Sequence, residues 1–275
     1  MNLNSERIKE LEDIAFRIRG KVVLMSLPAG GHISTSLSCT EIMVSLYHGG
    51  ILQQTKDNFE EKNRNRFILS KGHSETGLYA VLADYGYFPE EWLKTYRQGS
   101  CKLGGHADHH VPGVEITSGS LGHGLSFGCG VSIAAKMNGT DNVQYILLGD
   151  AECTEGSIWE AAIFASKNSL NNLIAIIDRN HIGSLDFTKN FTDLSNLKEK
   201  WESFGWNCIE IDGHSFQSIF DSISFAKKGN KPTVIIAQTI KGKGLSFMEN
   251  DPIWHVKGLT DPEEVAMAKK ELEIE

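Results

Sequence analysis

Apolar positions along the chain fall into short continuous runs separated by stripes at helical spacing. Val143-Gln144-Tyr145-Ile146-Leu147-Leu148, Leu173-Ile174-Ala175-Ile176-Ile177 and Thr233-Val234-Ile235-Ile236-Ala237 are almost unbroken, as expected of strands buried on both faces of a parallel sheet. Arg66-Phe67-Ile68-Leu69 and Cys208-Ile209-Glu210-Ile211 are shorter runs of the same kind. Ile8, Leu11, Ile14, Ala15 and Ile18 predict a helix over Asn4–Arg19, capped by Asn4 or Ser5. Leu78, Tyr79, Val81 and Leu82 predict a second helix, and Val131, Ile133, Ala134 and Ala135 a third. Further helices are predicted over Ser157–Leu170, over Phe191–Phe204 with Trp201 and Phe204 facing inward, over Ser215–Ala226 with Ser215 as cap, and over Pro262–Glu273. This alternation predicts an α/β fold with a mostly parallel sheet and helices on both faces. No repeat, linker or low-complexity stretch interrupts it, so residues 1–275 are expected to form one domain.

Composition narrows the class. The 275 residues are 40% hydrophobic and 23% charged, which is usual for a soluble globular protein with a substantial core. No apolar run approaches the roughly 20 residues of a membrane span. The start Met1-Asn2-Leu3-Asn4-Ser5-Glu6 lacks the basic and apolar regions of a signal peptide. Five cysteines without a C-x-x-C pair suit a reducing compartment, the cytoplasm. A net charge of −8 argues against a nucleic-acid surface. It also means that an anionic ligand must be held by local groups or by a metal.

Candidate chemistry follows the strands. Gly149-Asp150-Ala151 ends one run and Asp178-Arg179-Asn180-His181-Ile182 ends the next, with Asp150 and Asn180 separated by 30 positions. Ligands of open α/β sheets sit beyond the carboxyl ends of strands. Oxygen donors from two such ends suit a hard cation such as Mg²⁺, which also holds phosphate oxygens. An ordinary strand–helix–strand unit with Asp150 capping the next helix accounts for the same pattern. Several glycine turns carry histidine: Gly30-Gly31-His32, Lys71-Gly72-His73, Gly104-Gly105-His106 and Gly122-His123, with Trp254-His255 later. The first of these precedes a predicted helix rich in small residues, Ser34-Thr35-Ser36-Leu37-Ser38; a glycine turn that opens a helix is a favourable place for an anion, although a single histidine there is more often structural. Cys101, His106, His109 and His110 offer a zinc set, but Gly104-Gly105 and Pro112-Gly113 flank them where a helix would be needed. The glycines of Gly119–Gly128 admit a flat ligand or a closely packed helix. They follow no clear strand, which disfavours a dinucleotide fingerprint.

The Asp150…Asn180 pair resembles the thiamine-diphosphate fingerprint, and the motifs together resemble transketolase. Ser70-Lys71-Gly72-His73, Gly104-Gly105-His106, Gly119-Ser120-Leu121-Gly122-His123-Gly124, the Gly149–Gly156 segment and Asp178–Ile182 occur in transketolase order, between Gly31-His32 and Trp254-His255-Val256-Lys257-Gly258-Leu259. The match runs from about residue 8 to 272 and is to the N-terminal, diphosphate-binding half of the two-chain form. The resemblance implies thiamine diphosphate with Mg²⁺ (or Ca²⁺ or Mn²⁺ in its place), the metal held by Asp150, Asn180 and the main chain of Ile182. It implies that His73 contacts the diphosphate with backbone at Gly149 and Ala151, and that Gly119, Ser120 and Leu121 line the aminopyrimidine. Glu155 matches an acid at the interface between halves. His32, His73, His106 and His255 become the candidate catalytic residues facing the thiazolium and sugar hydroxyls. Two departures stand out, Ala151 where the fingerprint has Gly and His123 where many members have Gln. The implied activity is transfer of a two-carbon ketol unit between sugars or sugar phosphates. It needs a separate C-terminal subunit, expected as α₂β₂, because the acid that activates the cofactor lies in the other half. The neighbouring expectations are the α subunit of a 2-oxo acid dehydrogenase, a deoxyxylulose phosphate synthase, whose halves are normally fused, and a non-catalytic scaffold.

Overall fold

Each apolar run is a strand. In the computed structural model, which describes residues 3–184 and 186–275, β1 (Arg66–Leu69), β2 (Gln144–Gly149), β3 (Leu173–Arg179), β4 (Asn207–Asp212) and β5 (Thr233–Gln238) form one sheet. All pairings are parallel, and the spatial order is β1-β2-β3-β5-β4. Every residue of β2 and β3 is buried, which explains why neither strand shows the polar alternation of a half-exposed one.

Side chains still alternate between faces. Tyr145, Leu147, Ile174, Ile176, Ile235 and Ala237 join one apolar cluster, whereas Ile146, Leu148, Ala175, Ile177, Val234 and Ile236 join the other. The first cluster takes helices α1 (Ser5–Ser26), α2 (Ile33–Ser38), α3 (Thr40–Leu46) and α4 (Glu75–Asp84). The second takes α5 (His123–Met137), α6 (Gly156–Lys167) and, beyond the short α7 (Thr188–Phe191), α8 (Leu197–Ser203). Helices α9 (Phe216–Ala226) and α10 (Pro262–Glu271) return to the first face. Helix α6 joins β2 to β3 and α9 joins β4 back to β5. These two steps run in opposite directions across the sheet, so connections of one hand place their helices on opposite faces.

Three elements differ from the sequence reading. Helix α1 continues through Gly20 to Ser26; a methyl at Gly20 would lie 2.9 Å from Cγ2 of Ile274, so the glycine admits a neighbour. Of the helix expected over Phe191–Phe204 only Leu197–Ser203, α8, is helical, and Phe191 instead ends the short α7. Between them Asp193 Oδ1 accepts both the backbone N–H and the hydroxyl of Ser195, a local turn that competes with helical bonding. Trp201 is buried and Phe204 packs beside it, as expected. The small-residue helix after Gly31 is broken at Cys39 into α2 and α3. The expected caps form: Asn4 accepts from the Arg7 N–H at 2.8 Å and Ser215 from the Ser218 N–H at 3.2 Å. No helix among the described residues is long and apolar enough to cross a membrane.

Candidate active site

The parallel register brings the strand ends to one level. Gly149 pairs with Asp178, and Asp178 with Ala237. Beyond them lies a cavity of about 330 Å³. Its walls are Lys71 and His73 after β1, Gly149 to Glu155 after β2, Asn180 and Ile182 after β3, and Lys241 after β5. Thr35 of α2, Leu121, Gly183, Ser184, Phe191 and His255 also line it.

Asp150, only 1% exposed, accepts from the backbone N–H of Ala151 at 2.7 Å and of His181 at 2.8 Å. Burial pushes its carboxyl above the usual range, reinforced by Asp178 and opposed by Arg179. His181 takes a left-handed φ of 63°, which bends the chain so that the next peptide folds back. The Ile182 N–H then donates to Asn180 Oδ1 at 3.1 Å, and the Ile182 carbonyl faces Lys241 Nζ at 3.4 Å. A carboxylate, an amide oxygen and a cation-facing carbonyl therefore border one cavity. This set of hard oxygens fits a divalent cation such as Mg²⁺ and contains no soft donor. Ala151 takes no positive φ, so its methyl carries none of the backbone penalty that makes glycine favourable at such a turn.

Two buried networks hold the walls. Asp178, fully buried, accepts from Ser38 at 2.6 Å, from Asn180 Nδ2 at 2.8 Å, from Thr239 and from the Lys71 ammonium. Burial alone would raise the Asp178 carboxyl, but Lys71 and these donors outweigh it and hold it low. Glu152 accepts from the Ser70 hydroxyl and the Gly122 N–H on one oxygen and from the Gly149 N–H on the other, at 2.5, 2.8 and 2.9 Å. Gly122 has a φ of 85°, and a methyl at Gly124 would stand 2.4 Å from the Ser70 Cβ. The start of α5 is thus pressed onto the end of β1.

Four of the five histidines of the Gly-His and Trp-His turns, His32, His73, His106 and His255, converge, while His123 opens α5. The His32 ring lies 5.6 Å from His73, 6.1 Å from His106 and 5.9 Å from His255, and His73 lies 5.6 Å from His255. Burial lowers all four pKa values: His32 to about 4 and His255 to about 3, with His73 and His106 also below their ordinary value. Neighbouring cations add to the lowering, Lys71 and Lys241 at His73 and Arg97 at His106. The imidazoles are therefore uncharged near neutral pH. Lys241 Nζ sits 2.9 Å from His255 Nδ1, and burial beside Lys71 brings its ammonium down to about 7.

The structure separates some of the sequence candidates. His73, Leu121, Gly149, Asp150, Ala151, Glu155, Asn180, Ile182 and His255 line the cavity. His32 and His106 lie beyond it, through the His32–His73 contact. Gly119 and Ser120 are exposed at its rim, where a methyl on Gly119 would lie 3.7 Å from the His106 ring. The zinc set does not assemble. The Cys101 thiol donates to the Leu103 carbonyl, and His106 belongs to the histidine row. Among the described residues only Asp108, His109 and His110 bring three such ligand atoms together, on an exposed turn. Residues without an assigned role in the sequence reading are Lys241, Lys71, Asp178, Glu152 and Thr35. The one local signal was a lysine placed directly after a strand or its turn, as at Ser70-Lys71 and Ile240-Lys241.

Fold and site define a thiamine-diphosphate-binding domain, and residues 22–275 match the family model for the thiamine diphosphate binding domain of transketolase. The chain belongs to the transketolase family. It is 42% identical over 278 residues to an apulose-4-phosphate transketolase subunit of Actinobacillus succinogenes, with 100% of both chains covered. It is 40% identical over 233 residues to a 6-deoxy-6-sulfo-D-fructose transketolase subunit of a Clostridium species, with 84% of each covered. Human transketolase is 36% identical over 258 residues, which are 93% of this chain and 41% of the human one. The transketolase structure from Campylobacter jejuni superposes with a TM-score of 0.89 at 30% identity, covering 100% of this chain and 44% of that one. The chain thus matches the relatives named as subunits over most or all of their length and spans less than half of the human and Campylobacter enzymes.

Proposed function

We propose that this chain, acting as one domain over residues 1–275, is the diphosphate-binding subunit of a two-chain transketolase that depends on thiamine diphosphate and Mg²⁺. It transfers a two-carbon ketol unit from a ketose to an aldose when paired with a separate C-terminal subunit. The observation that carries this reading is the convergence of the Asp150, Asn180 and Ile182 oxygens with a row of uncharged imidazoles at the carboxyl ends of the strands. Asp150, Asn180 and the Ile182 carbonyl hold the metal, for which Ca²⁺ or Mn²⁺ can substitute. His73, Lys241 and the backbone at Gly149 and Ala151 take the diphosphate. Gly119, Ser120 and Leu121 take the aminopyrimidine, beside Glu155 at the partner interface. Bound thiamine diphosphate supplies the carbanion and electron sink.

This chain's own residues position and exchange protons. A neutral imidazole carries one N–H donor and one acceptor, so His32, His106 and His255 can each both take a proton from a sugar hydroxyl and return one. His32 Nδ1 is buried without a partner, which leaves a polar atom free for such contact. The exposed rim at Gly119, Ser120 and Glu155, together with exposed Phe127, Ile163 and Phe164 on α5 and α6, supports a covering partner, assembled as α₂β₂. Five free thiols suit the cytoplasm.

The test is calorimetric titration of thiamine diphosphate, with and without Mg²⁺, into this chain, into its partner and into the reconstituted pair, followed by a ketol-transfer assay. Metal-dependent binding and turnover by the pair, with an inactive single chain, are expected; a scaffold binds no cofactor, and full turnover by this chain alone would refute the two-chain reading. Asp150→Ala lowers cofactor affinity at least about tenfold, and an unchanged affinity overturns the metal assignment.

A further inference from the structure

His214, in the turn that follows β4, is not among the cavity walls. Its Nε2 accepts the Ile240 N–H at 2.9 Å, and its Nδ1 lies 3.0 Å from Glu41 Oε2. A ring nitrogen that accepts an N–H carries no proton, so the imidazole keeps its proton on Nδ1 and donates it to Glu41. Glu41, buried on α3, also accepts Arg19 Nη2 on both oxygens, at 2.7 and 2.8 Å. Burial alone would raise the Glu41 carboxyl, but Arg19 and His214 outweigh it and hold it low. Arg19, buried on α1, donates from Nε to the Lys243 carbonyl at 2.9 Å. The relay of His214, Glu41 and Arg19 therefore begins and ends on one segment, which it grips at Ile240 and at Lys243.

Lys241 lies between the two grips. Its carbonyl accepts the Asn250 N–H, and the Gly242 N–H donates to the Ser34 carbonyl of α2, each at 3.0 Å. Four successive residues are thus each tied to a group outside the segment. Gly244 has a φ of 97°, and a methyl there would lie 2.8 Å from Arg19 Cδ, so the arginine stem packs directly on the loop. The Thr239 N–H still meets a strand carbonyl, that of Arg179 at 3.2 Å. Ile240 is the first residue past β5 whose N–H meets a side chain instead. From this anchored backbone the Lys241 side chain enters the cavity, where Nζ stands 2.9 Å from His255 Nδ1 and 3.4 Å from the Ile182 carbonyl. The direction in which the lysine stem leaves the backbone is set by groups that lie outside the cavity walls.

We propose that His214, backed by Glu41 and Arg19, is a positioning residue that anchors the Lys241 loop and so aims Lys241 at the diphosphate. This rests on the transketolase reading, in which Lys241 takes that group. The test uses two variants of different reach. A glutamine amide extends as far as Nε2 and can accept from Ile240, whereas an asparagine amide extends only as far as Nδ1 and can serve Glu41 alone. In the reconstituted two-chain protein with Mg²⁺, His214→Asn should raise the calorimetric Kd for thiamine diphosphate about tenfold, and His214→Gln should stay close to wild type. Placed in a Lys241→Met background, His214→Asn should add no further loss, because the two residues act through one contact. Equal losses for the two His214 variants, or additive losses in the double variant, would overturn the role. Amide hydrogen exchange on this chain alone supplies a second measurement. His214→Asn should speed exchange at Gly242 and Asn250 and leave the β5 amides protected; uniform acceleration, or none, would overturn the anchor. If the pair binds no thiamine diphosphate, the transketolase reading fails, while selective exchange at Gly242 and Asn250 still upholds His214 as the anchor of the loop.

Discussion

Glu75 offers a quantitative check on the electrostatics beneath the His32 turn. It opens α4, is fully buried, and accepts the Tyr96 hydroxyl at 2.5 Å on Oε1, while Oε2 has no partner. Burial pushes its carboxyl up to about 8, against smaller opposing pulls from Tyr96 and Arg97. In the unfolded chain the group titrates near its ordinary 4.5. Between these values the unfolded state is ionised and the native state holds the proton, so native stability is fully present below pH 4.5 and drains away as pH rises through about 8. Each pH unit inside this window costs about 1.4 kcal/mol. Glu75→Gln abolishes the titration and keeps an oxygen for Tyr96; any loss from a buried amide is the same at every pH. The variant should therefore gain about 3 kcal/mol relative to wild type on going from pH 5 to pH 8. For 275 residues that corresponds to about 5 °C in Tm. Urea and thermal unfolding of both proteins across this range measure the difference. Parallel stability curves, or a variant that loses ground as pH rises, would refute the assignment of a protonated Glu75.

Two further outcomes follow from the packing. Lys71→Met leaves Asp178 ionised and buried with only neutral donors, which costs about 3–5 kcal/mol; calorimetry should show Tm lowered by about 5–9 °C, with much of the loss recovered when Asp178→Leu is added. Gly124→Val forces α5 away from Ser70, which its Cβ would approach to 2.4 Å. The expected cost is about 1–3 kcal/mol, read by urea unfolding, and an unaltered midpoint would show that the contact is not tight.

What the chain reveals in one dimension depends on how local the cause is. The strands were legible because burial on both faces writes an apolar run into the sequence itself. Asp150 and Asn180 were legible because each directly follows or ends such a run at a known spacing. The break between α7 and α8 was written in Asp193 and Ser195, a side-chain turn hidden within an otherwise helical stripe. The extension of α1 past Gly20 was not local, since its reason is Ile274 at the far end of the chain. Lys71 and Asp178 lie 107 positions apart, and Lys241 gains its character only from being enclosed beside Lys71, His255 and Ile182. Charge pairs and enclosed cations of this kind arise when loops meet, and nothing in their immediate neighbourhood announces them.

The Glu152 carboxylate ties three separate loops to one group, through Ser70, Gly122 and Gly149. Two of those loops border the cavity, one at the end of β2 and one at the start of α5. Their separation is thereby gauged by the bite of a single carboxylate and not by loop length. Insertions elsewhere in either loop can alter the rim while leaving that span intact, so the rim is free to diverge while these two walls stay in register.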